Sequence, residues 1–366
     1  LRMENVPITK RERKTVLENF LSLSTLQSIN YILPVLVLPY LIRVIGAEKF
    51  GLIAFAQALT QYLIIFTDYG FNLSATRKIS LCRSDKARVN SVFSNVMAVK
   101  ITLTILSLLV IILLVSMVEK FNKDWLVYIL SFGAVIGNAL FPAWFFQGEE
   151  KMKFISIINI IAGMLYAIAI FIFIRKPADY IFVPALNSLF FISTGLAGLC
   201  TAFKKFKLKF AIKGFSCIKD ELISGWSIFV SVVSVNAYTT TRIFAVGLLT
   251  SNVLTGYYAI AERIANAFQT FPLESFSQAI FPRLSSIFAR NKKRSFKLMN
   301  KLQDSVTFIF ILVIPLAILS SPLIVRAICG QKFPEVISAL RILLIGVFFV
   351  AINVFRVQFL LVCGKT

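Results

Sequence analysis

Histidine is absent from this chain of 366 residues, and acidic side chains are scarce, with 17 Asp and Glu against 39 Lys and Arg. Without histidine or paired cysteines the sequence offers no zinc site and no His-based acid–base centre. The five cysteines, Cys82, Cys200, Cys217, Cys329 and Cys363, are odd in number and imply no disulfide framework. Long polar loops are also missing, which leaves little room for the extramembrane catalytic domain of a polytopic polymerase or glycosyltransferase. The first 17 residues are polar and charged and the first apolar segment is full length, so no cleavable signal is expected.

What the chain has in excess is apolar length. At 58% apolar residues, 15% charged residues and a mean hydropathy of +0.81, it cannot hide its apolar surface in one water-soluble core. Ten spans, at 18–42, 51–72, 93–118, 125–146, 154–174, 181–203, 223–249, 256–282, 305–325 and 336–362, each approach the length that crosses about 30 Å of hydrocarbon. Runs such as Ile101 to Val118 lack the alternation of barrel strands, so the prediction is an all-α polytopic membrane protein.

The basic residues orient it. Of 39, 26 precede span 1 or follow an even-numbered span, 8 follow an odd-numbered span, and five lie inside spans. Short loops obey the positive-inside rule, so the N-terminus and the even-numbered exits are expected in the cytoplasm. Attraction to anionic membrane lipid accounts for the net charge of +22. Nucleic acid does not, because the basic residues are spread over many hairpins without aromatic platforms.

The sequence also repeats. Asn30, Gly51 and Arg77 recur as Asn236, Gly256 and Arg283, at offsets of 206, 205 and 206. Gln57, Gln61 and Asp68 share one face of span 2, and adding 206 lands on Arg263, Ala267 and Glu274 in span 8. Spans 1 and 7 both start in the cytoplasm, so the predicted repeats are parallel: two six-helix lobes, a transporter architecture. The expected lobes are residues 1–219 and 220–366. Spans 5 and 6 have no counterpart before Thr366, so the second lobe is expected to be about two helices short of a full repeat.

The five basic residues inside spans are Lys100, Arg242, Arg263, Arg341 and Arg356. Placed centrally, they would cost roughly 12–17 kcal/mol on the insertion scale, so something must offset that. Lys100, Arg341 and Arg356 lie near enough to span ends to snorkel. Arg242 and Arg263 lie seven residues inside spans 7 and 8, about 10 Å deep at the helical rise, each on a polar face. The polar face of span 7 runs Ser227, Ser231, Ser234, Tyr238 and Arg242; Glu262, Asn266 and Gln269 flank Arg263 in span 8. Small hydroxyls alone would be ordinary helix glue. Buried guanidinium groups point instead to an anionic ligand such as a diphosphate, which a planar fork binds through two hydrogen bonds. Asp68 and Glu274, near the inner ends of spans 2 and 8, are candidates for ion pairing or for carrying a coupling proton or sodium ion, with Glu262 beside them in chemistry.

Four stretches carry a family resemblance: Pro39-Tyr-Leu-Ile-Arg-Val-Ile-Gly46 with Phe50-Gly51, Asp68-Tyr-Gly-Phe-Asn-Leu-Ser-Ala75, Pro142-Ala-Trp-Phe-Phe-Gln-Gly-Glu149 with Met152, and Gln278-Ala-Ile-Phe-Pro-Arg-Leu-Ser-Ser286. In order and spacing the chain, from about residue 18 onward, resembles the Wzx-type O-antigen flippases of the multidrug/oligosaccharidyl-lipid/polysaccharide exporter superfamily. The resemblance implies two six-helix lobes around a central cavity lined largely by helices 1, 2, 7 and 8. It implies transfer of an undecaprenyl-diphosphate-linked oligosaccharide from the cytoplasmic to the periplasmic leaflet of a bacterial inner membrane, with no cofactor beyond a coupling ion and with other polysaccharide assembly proteins as partners. By position, Arg242 and Arg263 would hold the diphosphate, with Lys100, Arg341 and Arg356 in reserve. The sugar would lie against Asn30, Gln57, Gln61, Tyr238 and Asn266. The lobes are expected to rock about the pseudo-twofold axis, with Pro34, Pro39 and Pro272 supplying bends. The Gln147 hairpin is expected to be a gate or a structural turn. The rivals are a multidrug antiporter of the same plan, which would favour acidic cavity residues, and the polytopic enzyme disfavoured above.

Overall fold

The computed structural model describes residues 10–210, 215–269, 273, 292–331, 333–353 and 356, and among these the secondary structure is helical. In chain order the helices are α1 (Lys10–Asp68), α2 (Phe71–Cys82), α3 (Lys86–Met117), α4 (Glu119–Asn122), α5 (Trp125–Leu140), α6 (Ala143–Gly148), α7 (Lys153–Phe173), a 3₁₀ turn (Pro177–Ile181), α8 (Phe182–Phe206), α9 (Phe215–Leu249), α10 (Asn252–Gln269), α11 (Lys292–Cys329) and α12 (Pro334–Ala351). Over their described parts the predicted spans are helical, with span 51–72 running from α1 into α2 and span 125–146 divided between α5 and α6.

Seven helical segments among the described residues are long and apolar enough to cross a membrane, and Gly225–Asn236 with Thr240–Leu249, bent by 59°, makes an eighth. That count covers the described residues alone, and the predicted spans 256–282 and 336–362 run partly outside them. Leu33–Cys82 is a single apolar segment of 50 residues, which at the helical rise spans roughly 75 Å, more than twice a hydrocarbon layer. It therefore holds the end of span 1 and all of span 2. Gly46 separates them, at φ 77° and ψ 167°, a conformation open to glycine and strained for other residues. α10, which carries Glu262 and Arg263, is not among the seven.

Two compact units form, and each draws on both sequence repeats. The first comprises residues 1–30 and 53–249. Here α5 and α8 pack backbone against backbone, because a Cβ at Gly137 would overlap Phe191 and one at Gly195 would overlap the Gly137 carbonyl. α9 is fastened along its length to α1 and α2. Phe244 stacks on Phe55 at 5.4 Å, the Thr241 and Tyr62 hydroxyls bond at 2.6 Å, Phe229 stacks on Tyr69 at 4.6 Å, and Glu221 pairs with Lys78 at 2.7 Å. At the end of α9, Lys120 donates to the carbonyls of Gly247 and Leu248, a cation set against a helix C-terminus. By this packing α9 groups with the first unit, whereas the predicted lobe boundary at 219–220 assigns it to the second.

The second unit comprises residues 31–52 and 250–366. Arg43 donates to the carbonyls of Ala327 and Ile328 at the end of α11, where Gly330 takes φ 77°. Gln303 bonds the Ala351 carbonyl at 2.8 Å, tying α11 to α12. α1 and α10 cross with no room for a side chain. A Cβ at Gly51 would overlap the Asn252 carbonyl and the Gly256 backbone, and one at Gly256 would overlap the Ala47 carbonyl. Ala47 and Asn252, like Gly51 and Gly256, are 205 residues apart, so the repeat maps this contact onto itself.

Gly51→Ala and Gly256→Ala should each force α1 and α10 apart and cost about 1–3 kcal/mol, the usual scale of overpacking. Gly346→Ala, where an added Cβ meets nothing within 4 Å, is the matched control. Thermal unfolding of the purified protein in detergent should show lower midpoints for the first two and no such fall for the third.

Candidate functional site

Asp68 ends α1 and Lys100 lies in the middle of α3; 32 positions apart in the chain, they bring a carboxylate and an ammonium together at 2.7 Å. Their side chains are 19% and 2% exposed, so the pair is sheltered on the lysine side and open on the aspartate side. Lys100 also donates to the Asn138 carbonyl of α5 at 3.4 Å, and Asn72 donates to the second Asp68 oxygen at 3.4 Å. The sequence allowed Lys100 to snorkel; instead it turns inward. A buried ammonium without a carboxylate would carry an uncompensated desolvation cost, and Asp68 removes it.

The arginines take different surroundings. Arg242 is exposed on α9, one residue after Thr241. Because Thr241 bonds Tyr62, Arg242 and the exposed Gln61 stand at one level of the first unit, with half-buried Gln57 a turn away from Gln61 on α1. Arg263 belongs to the second unit. It is half-buried on α10, and its guanidinium carbon lies 5.1 Å from the centroid of the Phe50 ring. Its neighbours Glu262 and Asn266 are buried and exposed respectively. Phe50, 2% exposed, was visible in the sequence only as part of the Phe50-Gly51 motif.

Arg341 is exposed on α12 and donates through Nε to the Ser321 hydroxyl of α11 at 3.0 Å; Arg356 is exposed. The side chains of Asn30 and Tyr238, and residues Pro272 and Glu274, lie outside the described residues. The Gln147 hairpin is held as a turn. The Thr76 hydroxyl of α2, 2.7 Å from the Asn72 carbonyl of its own helix, also lies 3.1 Å from the Trp144 carbonyl and 3.4 Å from the Gln147 amide oxygen, and Arg83 donates to the Gly148 carbonyl at 2.5 Å and to Glu150 at 2.9 Å. Trp144, Phe145 and Phe146 are fully buried beneath it. Burial raises the carboxyl pKa of Glu149 in this turn, against the lowering pull of Arg83 and Lys151. Among the described residues no cluster of three or more metal-ligating side chains occurs.

Comparison with known proteins places this arrangement. A protein of Escherichia coli (strain K12) named "Putative O-antigen transporter" is 28% identical over 344 residues, 94% of this chain and 83% of that protein. A Shigella dysenteriae protein of the same name is 30% identical over 275 residues, 74% of this chain and 67% of that protein. Among solved structures, the inward-facing conformation of a multidrug resistance MATE family transporter of the MOP superfamily superposes with a TM-score of 0.66 at 15% identity, covering 92% of this chain and 85% of that one. A MATE in the bent conformation superposes at 0.56 and 16% identity, covering 96% and 82%. These two show the fold alone, a bundle of membrane-length helices. A family model described as polysaccharide biosynthesis protein matches residues 16–288, and the chain belongs to that family.

Proposed function

We propose that this protein is a flippase that moves an undecaprenyl-diphosphate-linked O-antigen oligosaccharide from the cytoplasmic to the periplasmic leaflet of the bacterial inner membrane. The family and its named relatives support transport of O-antigen material. The observation that carries the finer reading is the placement of two guanidinium groups, Arg242 exposed on α9 and Arg263 half-buried on α10, within spans 7 and 8 of the sequence, where charge is costly to place. Each binds the diphosphate during its passage, because a guanidinium stays charged and offers paired donors to phosphate oxygens. Exposed Gln61 and Asn266 and half-buried Gln57 offer amides to the sugar. The polyprenyl tail stays in lipid while the protein alternates its access between the two leaflets. The N-terminus lies in the cytoplasm, by the distribution of basic residues.

Coupling to a proton or sodium gradient runs through Asp68. Its carboxylate is partly open while Lys100 satisfies one oxygen, so an ion or proton competes with an ammonium already in place. A multidrug antiporter extruding organic cations would need carboxylates free of such a partner and gain nothing from deep arginines.

In cells with normal levels of the protein, Arg263→Ala or Arg242→Ala should abolish O-antigen export in a flippase-null strain; retained export in both would remove the diphosphate role. Complementation of that strain, with no change in drug resistance, separates the flippase from the antiporter. Lys100→Met alone should destabilise the protein by about 3–5 kcal/mol by stranding Asp68, and adding Asp68→Asn should restore most of that. The double variant is expected to fold and to lose export. Export at the unaltered level would give the pair a structural role only.

A further inference from the structure

We propose that Phe50 is the positioning residue for Arg263, its ring holding the guanidinium so that the N–H edges are presented to an anionic oxygen. This rests on the reading that Arg263 binds a diphosphate. Phe50 is a fixed platform. It is 2% exposed, and its neighbour Gly51 is locked in the backbone crossing with Gly256. Arg263 follows Gly256 by seven residues, two turns along α10, and helical side chains lean toward the helix N-terminus. The arginine therefore reaches back toward the crossing and lies over the Phe50 ring at 5.1 Å.

A guanidinium held over a ring keeps its N–H donors in its own plane, the plane that a bidentate phosphate contact uses. The contact also removes rotamer freedom before the ligand arrives, so less entropy is lost on binding. The repeat adds an independent argument. The glycine crossing recurs in both copies, as the shared scaffold of a duplicated fold should. The ring and cation do not: in the 205-residue register that maps the crossing onto itself, Phe50 corresponds to Thr255 and Arg263 to Ala58. An asymmetric pair on a symmetric crossing is what a single ligand requires and what packing alone does not.

The test is binding of farnesyl diphosphate to the purified full chain in lipid nanodiscs, measured by calorimetry, with thermal midpoints recorded alongside. Arg263→Ala should remove most of the binding. Phe50→Leu should weaken it by about threefold to thirtyfold, the range of a cation–π contact from exposed to desolvated, while Phe50→Tyr binds as the unaltered protein does. In an Arg263→Gln background, Phe50→Leu should cause no further loss. If Phe50→Leu fails to fold, Phe50→Met fills the same space without a ring face. Loss in Arg263→Ala with full binding in the Phe50 variants overturns the positioning role and spares the diphosphate reading. Equal losses in the Leu and Tyr variants, with falling midpoints, also overturn it, as packing. Full binding in Arg263→Ala overturns the diphosphate reading itself.

Discussion

Helices in a lipid medium gain little from hiding apolar side chains, since the tails around them are equally apolar, so close backbone approach has to supply much of their cohesion. That constraint governs both units. α5 meets α8 through Gly137 and Gly195, and α1 meets α10 through Gly51 and Gly256, each at a separation that excludes even a methyl group. Where side chains are large, cohesion comes from stacked rings instead, as along α9 with Phe244 on Phe55 and Phe229 on Tyr69. The two modes fix which helices belong together, and so which side chains can share a site.

Charge follows the same logic. Of the 26 basic residues assigned to the inner gaps, Lys78 and Arg83 pair with Glu221 and Glu150, and water and anionic headgroups are the natural partners of those at the surface. Those elsewhere have particular acceptors: Arg43 and Lys120 meet helix C-terminal carbonyls, Lys100 meets Asp68, and Arg263 meets an aromatic face. Helix ends, a carboxylate and a ring quadrupole are three ways of stabilising a cation where water is scarce.

The helices were legible in the sequence because apolar length is a local property. The Asp68–Lys100 pair was half legible. Asp68 was marked for pairing, but Lys100 was read as able to snorkel, since nothing in α3 alone shows that its face turns toward the end of α1. The grouping of α9 was hidden for a similar reason. The 206-residue repeat assigns α9 by descent, whereas its aromatic and hydroxyl contacts assign it by packing, and the two need not agree. Phe50 escaped because a phenylalanine in an apolar span announces nothing until its neighbour across the helix pair is known.

The crossing of α1 and α10 has a bearing on how such a chain could arise. A contact in which Gly51 meets Asn252 and Gly256 while Gly256 meets Ala47 is self-complementary under the repeat, the defining property of an isologous dimer interface. Two separate half-length chains with one shared sequence would close the same crossing, each offering its glycine to the other's carbonyl. Within the single chain the same reciprocity means that a side chain added at either glycine disturbs both sides of the crossing at once.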